Sequence, residues 1–307
     1  MNTPQKSVLL SDLMLLAVAV VWGSSYGVVK SALFFYPVLG LLALRFGITF
    51  LLLSPALIHL RDLPANKTIG LLGTGGLLLG VFLCETFGIL HTTATNAAFL
   101  ISLCVMLTPL VEWVWLKRRP TGMEWCAVGL SAIGAALLTG DGKWVFNWGD
   151  ALILLAAFIR ALQVCMLKRV TNDTRLPALT VTAVQAGVVT LGSILLVILF
   201  VPTPLQTLVS MENSSVFWSY VVYLVLACTL FAFFAQNYAI KRSSPTRVAL
   251  LMGSEPVFGG LFAMLWLGES ISYQGWAGGG LIVVACLLAS VRWTPGKGRV
   301  MATPAQG

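Results

Sequence analysis

Few side chains in this sequence can do chemistry, and they lie where an ionised group is costly. Long apolar stretches are interrupted by Arg45, Glu85, Glu112, Arg160 and Glu255. A charge at the centre of such a stretch costs at least ~2.5 kcal/mol on insertion scales, so each needs a partner, water or a ligand. Helical spacing places Gln163 and Val164 on the face of Arg160, and Met252 on the face of Glu255. Two readings stand side by side. Arg160 and Glu255 can form a buried structural ion pair, or they can take the carboxylate and the ammonium of a zwitterion. Glu112 lies within snorkelling reach of Lys117 and Arg118. Glu85 is the other carboxylate that a proton-coupled carrier could titrate.

Other chemistries find little support. An intramembrane enzyme acting on a lipid-linked substrate needs a pair of carboxylates or a nucleophile with its base, and Glu255 is the sole carboxylate at mid-depth. HExxH and GxSxG are missing, and His59 and His91 stand alone, so no metal or cofactor is expected. Gly140-Asp-Gly-Lys143 lacks the spacing of a phosphate loop. A channel would show a single-sign ring of charges or a filter loop. Cys84, Cys104, Cys126, Cys165, Cys228 and Cys286 fall in apolar runs and read as packing residues rather than a disulfide framework.

The elements that must position these groups follow from composition. Of 307 residues 58% are hydrophobic and 10% charged, against about 25% charged in an ordinary soluble domain. The chain therefore reads as an all-α membrane protein. Apolar stretches long enough to span fall at residues 9–29, 35–58, 68–90, 96–115, 122–139, 148–167, 177–200, 216–240, 246–266 and 273–291. The first of these is read as a retained helix, not a signal peptide. The net charge of +8 does not point to nucleic acid, because the basic residues alternate by loop. Arg61, Lys67, Lys117 to Arg119, Lys168, Lys241 and Arg292 share one side with Lys6, while Lys30 and Lys143 face the other. This predicts ten transmembrane helices with both termini cytoplasmic. Trp22 falls about 20 Å into its span at 1.5 Å per residue, near the midplane, whereas the other tryptophans lie near span ends. Pro109 and Pro256 interrupt two spans and are expected to bend them as hinges. Gly23 and Gly27, Gly76 and Gly80, and Gly275 and Gly279 are small-residue spacings that let helices approach.

The chain also resembles itself. Asp12 to Lys30 aligns with Asp150 to Lys168, Pro37 to Gly47 with Pro177 to Gly187, and Pro109 with Pro256. Five spans per half is an odd number, so the second half must enter from the opposite side, giving two inverted five-helix repeats, 1–143 and 144–293. Residues 294–307 read as a disordered tail.

SEPVFGG at Ser254, LWLGES at Leu265, WGSS at Trp22 and the glycine-rich last span resemble the EamA-type repeat of the drug/metabolite transporter superfamily. Within it the chain is most similar to ten-helix bacterial exporters of aromatic amino acids. One departure is Glu269, whose first-half counterpart is the basic Arg118 or Arg119. The resemblance implies a central cavity lined by the first, third and fourth helices of each half, with Arg45 a structural element outside it. On those helices Trp22 and Tyr26 would form an aromatic pocket and Phe82 and Phe99 an apolar wall. Asn96 and Ser102 would supply hydrogen bonds there, as would Asn237 on the eighth span. The implied function is alternating-access export of amino acids, or of another small metabolite or drug, across the inner membrane. A monomer suffices for this, with a small-molecule substrate and membrane lipid as partners.

Overall fold

The computed structural model describes residues 3–61, 63–92, 94–139, 147–172, 174, 176–209, 215–267 and 272–290, and every regular element among them is helical. The tail after residue 293 and the expected junction between halves at 140–146 lie outside the described residues. In a bilayer each unsatisfied amide costs several kcal/mol, so a chain of this composition must close its hydrogen bonds within helices. The elements are α1 (Thr3–Ala32), α2 (Val38–Leu53) with a 3-10 turn at Ser54–Leu60, α3 (Ala65–His91), α4 (Ala94–Ser102), α5 (Cys104–Leu116) and α6 (Gly122–Thr139). There follow α7 (Trp148–Thr171), α8 (Ala178–Phe200), α9 (Pro204–Val209), α10 (Ser215–Val225), a π-helical segment at Leu226–Phe231 and α11 (Ala232–Arg242). The last described elements are α12 (Pro245–Met252), α13 (Glu255–Leu267) and α14 (Tyr273–Ser290).

Local chemistry sets where these helices begin. Pro37, Pro64 and Pro177, in extended backbone, directly precede α2, α3 and α8. Asn147 and Asp150 form a reciprocal capping box at the start of α7. Ser244 caps α12, with Pro245 at the position that needs no amide hydrogen. Among the described residues seven stretches are long and apolar enough to cross a membrane, and two shorter apolar helices occupy Gly122–Leu137 and Tyr273–Leu288. The predicted ninth span is divided at Gly253 and Ser254 into α12 and α13.

The prolines act differently from one another. Pro256 lies in the first turn of α13, just past that division. α5 runs through Pro109, where a bend is expected, and the helix is interrupted earlier, at Leu103 between α4 and α5. Thr108, beside Pro109, donates its hydroxyl to the Cys104 carbonyl at 2.7 Å, adding a side-chain bond in the turn that lacks one from the proline.

In the bundle α6 packs along α14, α3 along α7 and α2 along α8, while α1 lies against α11 and α13. Glycines permit the closest of these approaches. A Cβ on Gly23 would stand 2.7 Å from the Glu255 carbonyl oxygen and 2.9 Å from the Gly259 nitrogen, so α1 and α13 meet backbone to backbone. Gly27 and Gly76, expected to serve the same purpose, meet nothing within 4 Å. The outer surface carries apolar side chains such as Leu51, Leu191 and Phe200, as contact with lipid requires. Gly23→Ala is expected to destabilise the protein by about 1–3 kcal/mol through forced separation of α1 and α13. Gly27→Ala should be neutral or slightly stabilising, since alanine is the better helix former by about 1 kcal/mol. Thermal unfolding of both variants in detergent checks the contrast.

Candidate functional site

Where α1, α2, α3, α7, α11 and α13 converge, the helices enclose about 30 Å³ of free space, room for about two waters. Its walls include Trp22, Ser25 and Tyr26 of α1, Arg45 of α2, Phe82 and Glu85 of α3, Arg160 and Gln163 of α7, Phe233 and Gln236 of α11, and Glu255 of α13.

At its centre the Arg160 guanidinium carbon stands 4.3 Å from the centroid of the Trp22 ring, within reach of a cation–π attraction. An Nη1 of Arg160 lies 3.7 Å from Glu255 Oε2. The Tyr26 hydroxyl donates to Glu255 Oε1 at 3.3 Å. Glu255 is only 2% exposed, and three things offset its charge: Arg160, Tyr26 and its place in the first turn of α13, where the helix dipole favours an anion. Burying such a pair is close to break-even, whereas removing one partner is costly.

Trp22 itself is fixed from outside the cavity. Its Nε1 donates to the Cys228 carbonyl at 2.9 Å, inside the π-helical segment. Arg45 uses the same segment: Nε donates to Thr229 Oγ1 at 2.6 Å and Nη2 to the Cys228 carbonyl at 3.2 Å. Its guanidinium carbon also stands 5.0 Å from the Phe82 centroid. The Phe82 and Phe46 rings meet edge to face at 4.7 Å. Phe233 joins them, 5.9 Å from Phe82 and 5.4 Å from Trp22. The cavity thus has an aromatic wall on which both arginines rest.

Of the residues singled out from sequence, Trp22, Tyr26, Phe82, Glu85, Arg160, Gln163 and Glu255 border this space. Phe99, Ser102, Asn237 and Met252 are not among its walls. Ser102 returns its hydroxyl to the Phe99 carbonyl of its own helix at 2.6 Å, and Met252 is buried in the core ahead of the α12–α13 division. Asn237 turns toward α8, donating from Nδ2 to Thr182 Oγ1 at 2.9 Å and Gln185 Oε1 at 3.0 Å. The side chain of Asn96 lies outside the described residues. Arg45 corrects the reading that kept it out of the cavity: it is structurally bonded and borders the space as well. Glu112 meets one of the two cations expected for it and caps a helix besides. It reaches Arg118 at 3.1 Å, yet it is 1% exposed and accepts from the Thr246 amide at 3.0 Å, capping α12. Gln236, Ser25 and Phe233 were missed.

These features now meet the comparisons with known proteins. The description EamA-like transporter family matches residues 9–140 and again residues 147–291. The chain belongs to the EamA-like transporter family. It is a multi-pass membrane transporter, not an enzyme. It is similar to the uncharacterized inner membrane transporter YedA of Escherichia coli K12, 25% identical over 90% of this chain and 89% of that one. A probable terminal-alkyne amino-acid exporter of Streptantibioticus cattleyicolor is 26% identical over 94% and 96%. An S-adenosylmethionine/S-adenosylhomocysteine transporter of Chlamydia trachomatis serovar L2 is 24% identical over 88% and 86%. One solved structure, 20% identical, superposes with a TM-score of 0.74 over 91% of this chain and 96% of its own, which shows the fold.

In this transporter Arg160 and Glu255 should behave as a coupled pair. Arg160→Met and Glu255→Gln are each expected to lower the unfolding temperature in detergent. The double variant should lose less than the two combined, with a coupling of roughly 0.5–3 kcal/mol. Additive losses would mean that the pair contributes nothing as a pair.

Proposed function

We propose that this transporter exports amino acids with aromatic or large apolar side chains, and related metabolites, across the inner membrane by alternating access. The observation that carries the reading is the charge balance of the cavity. Arg45 and Arg160 face Glu85 and Glu255 within one aromatic-walled space, and such a set is matched by a ligand that is itself neutral overall but carries both signs. A substrate with a single net charge would leave one buried charge uncompensated, at a cost of several kcal/mol. The Trp22, Phe82 and Phe233 rings supply a surface on which an aromatic side chain can stack. Terminal-alkyne amino acids and S-adenosylmethionine, the substrates named for two relatives, both carry an α-ammonium and a carboxylate, which supports the head-group half of the reading. The inner membrane assigned by name to YedA supports the location.

Residues 1–143 and 144–293 are proposed as inverted five-helix repeats with both termini cytoplasmic. The double match of the family and the pairing of α6 with α14 and of α2 with α8 support this arrangement. Alternating access then needs bending elements. The interruptions at Leu103 and at Gly253–Ser254, with Pro109 and Pro256 just beyond them, are proposed as those hinges. About 30 Å³ admits no amino acid, so a loaded cavity requires the helices to part.

Counterflow of labelled phenylalanine in proteoliposomes tests the substrate class, and wild-type protein that exchanges no amino acid would overturn it. Trp22→Ala is expected to weaken phenylalanine and tryptophan about 2- to 10-fold more than alanine or threonine. An unchanged ranking in a folded variant would remove Trp22 from the pocket. For topology, cysteines placed at Arg119 and Gln206 should react with an impermeant reagent from opposite sides of the membrane, and same-side labelling would refute the proposed orientation.

A further inference from the structure

Among the described carboxylates, Glu85 differs from the rest. Asp12 pairs with Arg247 at 2.6 Å, and Glu112 and Glu124 share Arg118 at 3.1 and 2.8 Å. Asp150 accepts from Thr92 at 2.6 Å and from the Asn147 amide at 3.1 Å. Glu255 has Arg160 and Tyr26. Glu85 makes no hydrogen bond or ion pair among the described residues, and it sits well inside α3, away from the N-terminus of its own helix, where an anion would be favoured. What it does face is the cavity.

Two other groups on the same walls are unfilled. Gln236 and Gln163 are each 1% exposed, and among the described residues Gln236 Oε1 and Gln163 Nε2 have no hydrogen-bond partner. A buried amide atom left this way carries its desolvation penalty with nothing to offset it. The two cavity arginines are already engaged, Arg45 by Thr229 and the Cys228 carbonyl, Arg160 by Glu255. The unfilled set is therefore one carboxylate, one neutral acceptor and one neutral donor. It calls for a ligand that brings a positively charged donor together with an acceptor.

We infer that Glu85 and Gln236 form the position that receives the substrate's ammonium group, with Gln163 donating to its carboxylate beside Arg160. This rests on the amino-acid reading above and changes the assignment within it. The glutamate that sequence spacing offers for the ammonium, Glu255, is already held by Arg160 and Tyr26. Arg45 and Arg160 line the same space, but Glu85 is the described carboxylate with neither in ion-pair contact, and a primary ammonium has three donors to divide between it and the Gln236 oxygen.

Binding of phenylalanine, 2-phenylethylammonium and 3-phenylpropionate to the purified full-length protein separates the head-group positions. Glu85→Gln is expected to weaken phenylalanine and 2-phenylethylammonium by about tenfold or more, equivalent to about 1.4 kcal/mol. It should leave 3-phenylpropionate within about twofold, and that retained binding also shows the variant to be folded. Gln236→Leu should give the same pattern with a smaller loss. If Glu85→Gln weakens all three ligands alike, or none, the ammonium position is overturned while the amino-acid reading stands on wild-type binding of phenylalanine. If the variant binds all three as wild type does but loses accumulation driven by a pH gradient, Glu85 holds a proton instead, and the inference is likewise overturned. Wild-type protein that binds none of the three would remove both the position and the reading beneath it.

Discussion

The carbonyl of Cys228 is the contact on which the cavity depends. It accepts from Trp22 and from Arg45, so a single main-chain atom holds an aromatic wall and a guanidinium in place. Trp22 in turn supports Arg160 through its ring face, and Arg160 supports Glu255. A regular α-helix would use that carbonyl for its own ladder. The π-helical segment Leu226–Phe231 relaxes the ladder locally and leaves room for donors from other helices. Thr229 reinforces the segment by donating to the Leu224 carbonyl at 2.7 Å while accepting from Arg45.

A second constraint concerns buried negative charge. Glu255, Asp150 and Glu124 lie in the first turns of α13, α7 and α6, and Glu112 caps the start of α12. Each helix start offers unpaired amides and the positive end of a dipole, at about 0.3–1 kcal/mol or somewhat more when partly buried. Cations then complete the neutralisation. The same principle, run in reverse, places Lys168 on the Ile240 and Lys241 carbonyls and Lys241 on those of Thr174 and Leu176, where chain ends leave acceptors free. Among the described carboxylates Glu85 alone lacks such a match, to a helix start or to an ion-pair partner.

The long helices were legible because twenty apolar residues in a row admit few alternatives. Arg160, Glu255 and Trp22 stood out for a related reason: each is a residue that lipid contact would not select at mid-depth. What sequence could not supply was helix rotation. Gln236 and Asn237 are neighbours in α11, about 100° apart around its axis, and only one of them can face the cavity. The reading chose Asn237, and the structure brings Gln236 to the wall. The π-helical segment immediately upstream adds a residue to one turn and shifts every face after it. Nothing in Leu-Ala-Cys-Thr-Leu-Phe announces that insertion. The interruption at Leu103 escaped for a like cause, since Pro109 drew attention to a position further along, inside α5.

The small size of the cavity bears on what the membrane experiences between cargoes. A space of about 30 Å³ holds too few waters to form a continuous file. So small a space limits the water that could carry protons or ions past these helices between cargoes. On the proposed alternating-access cycle, insulation and selectivity would share one origin, because the helices that part for a substrate are those that close this space in its absence.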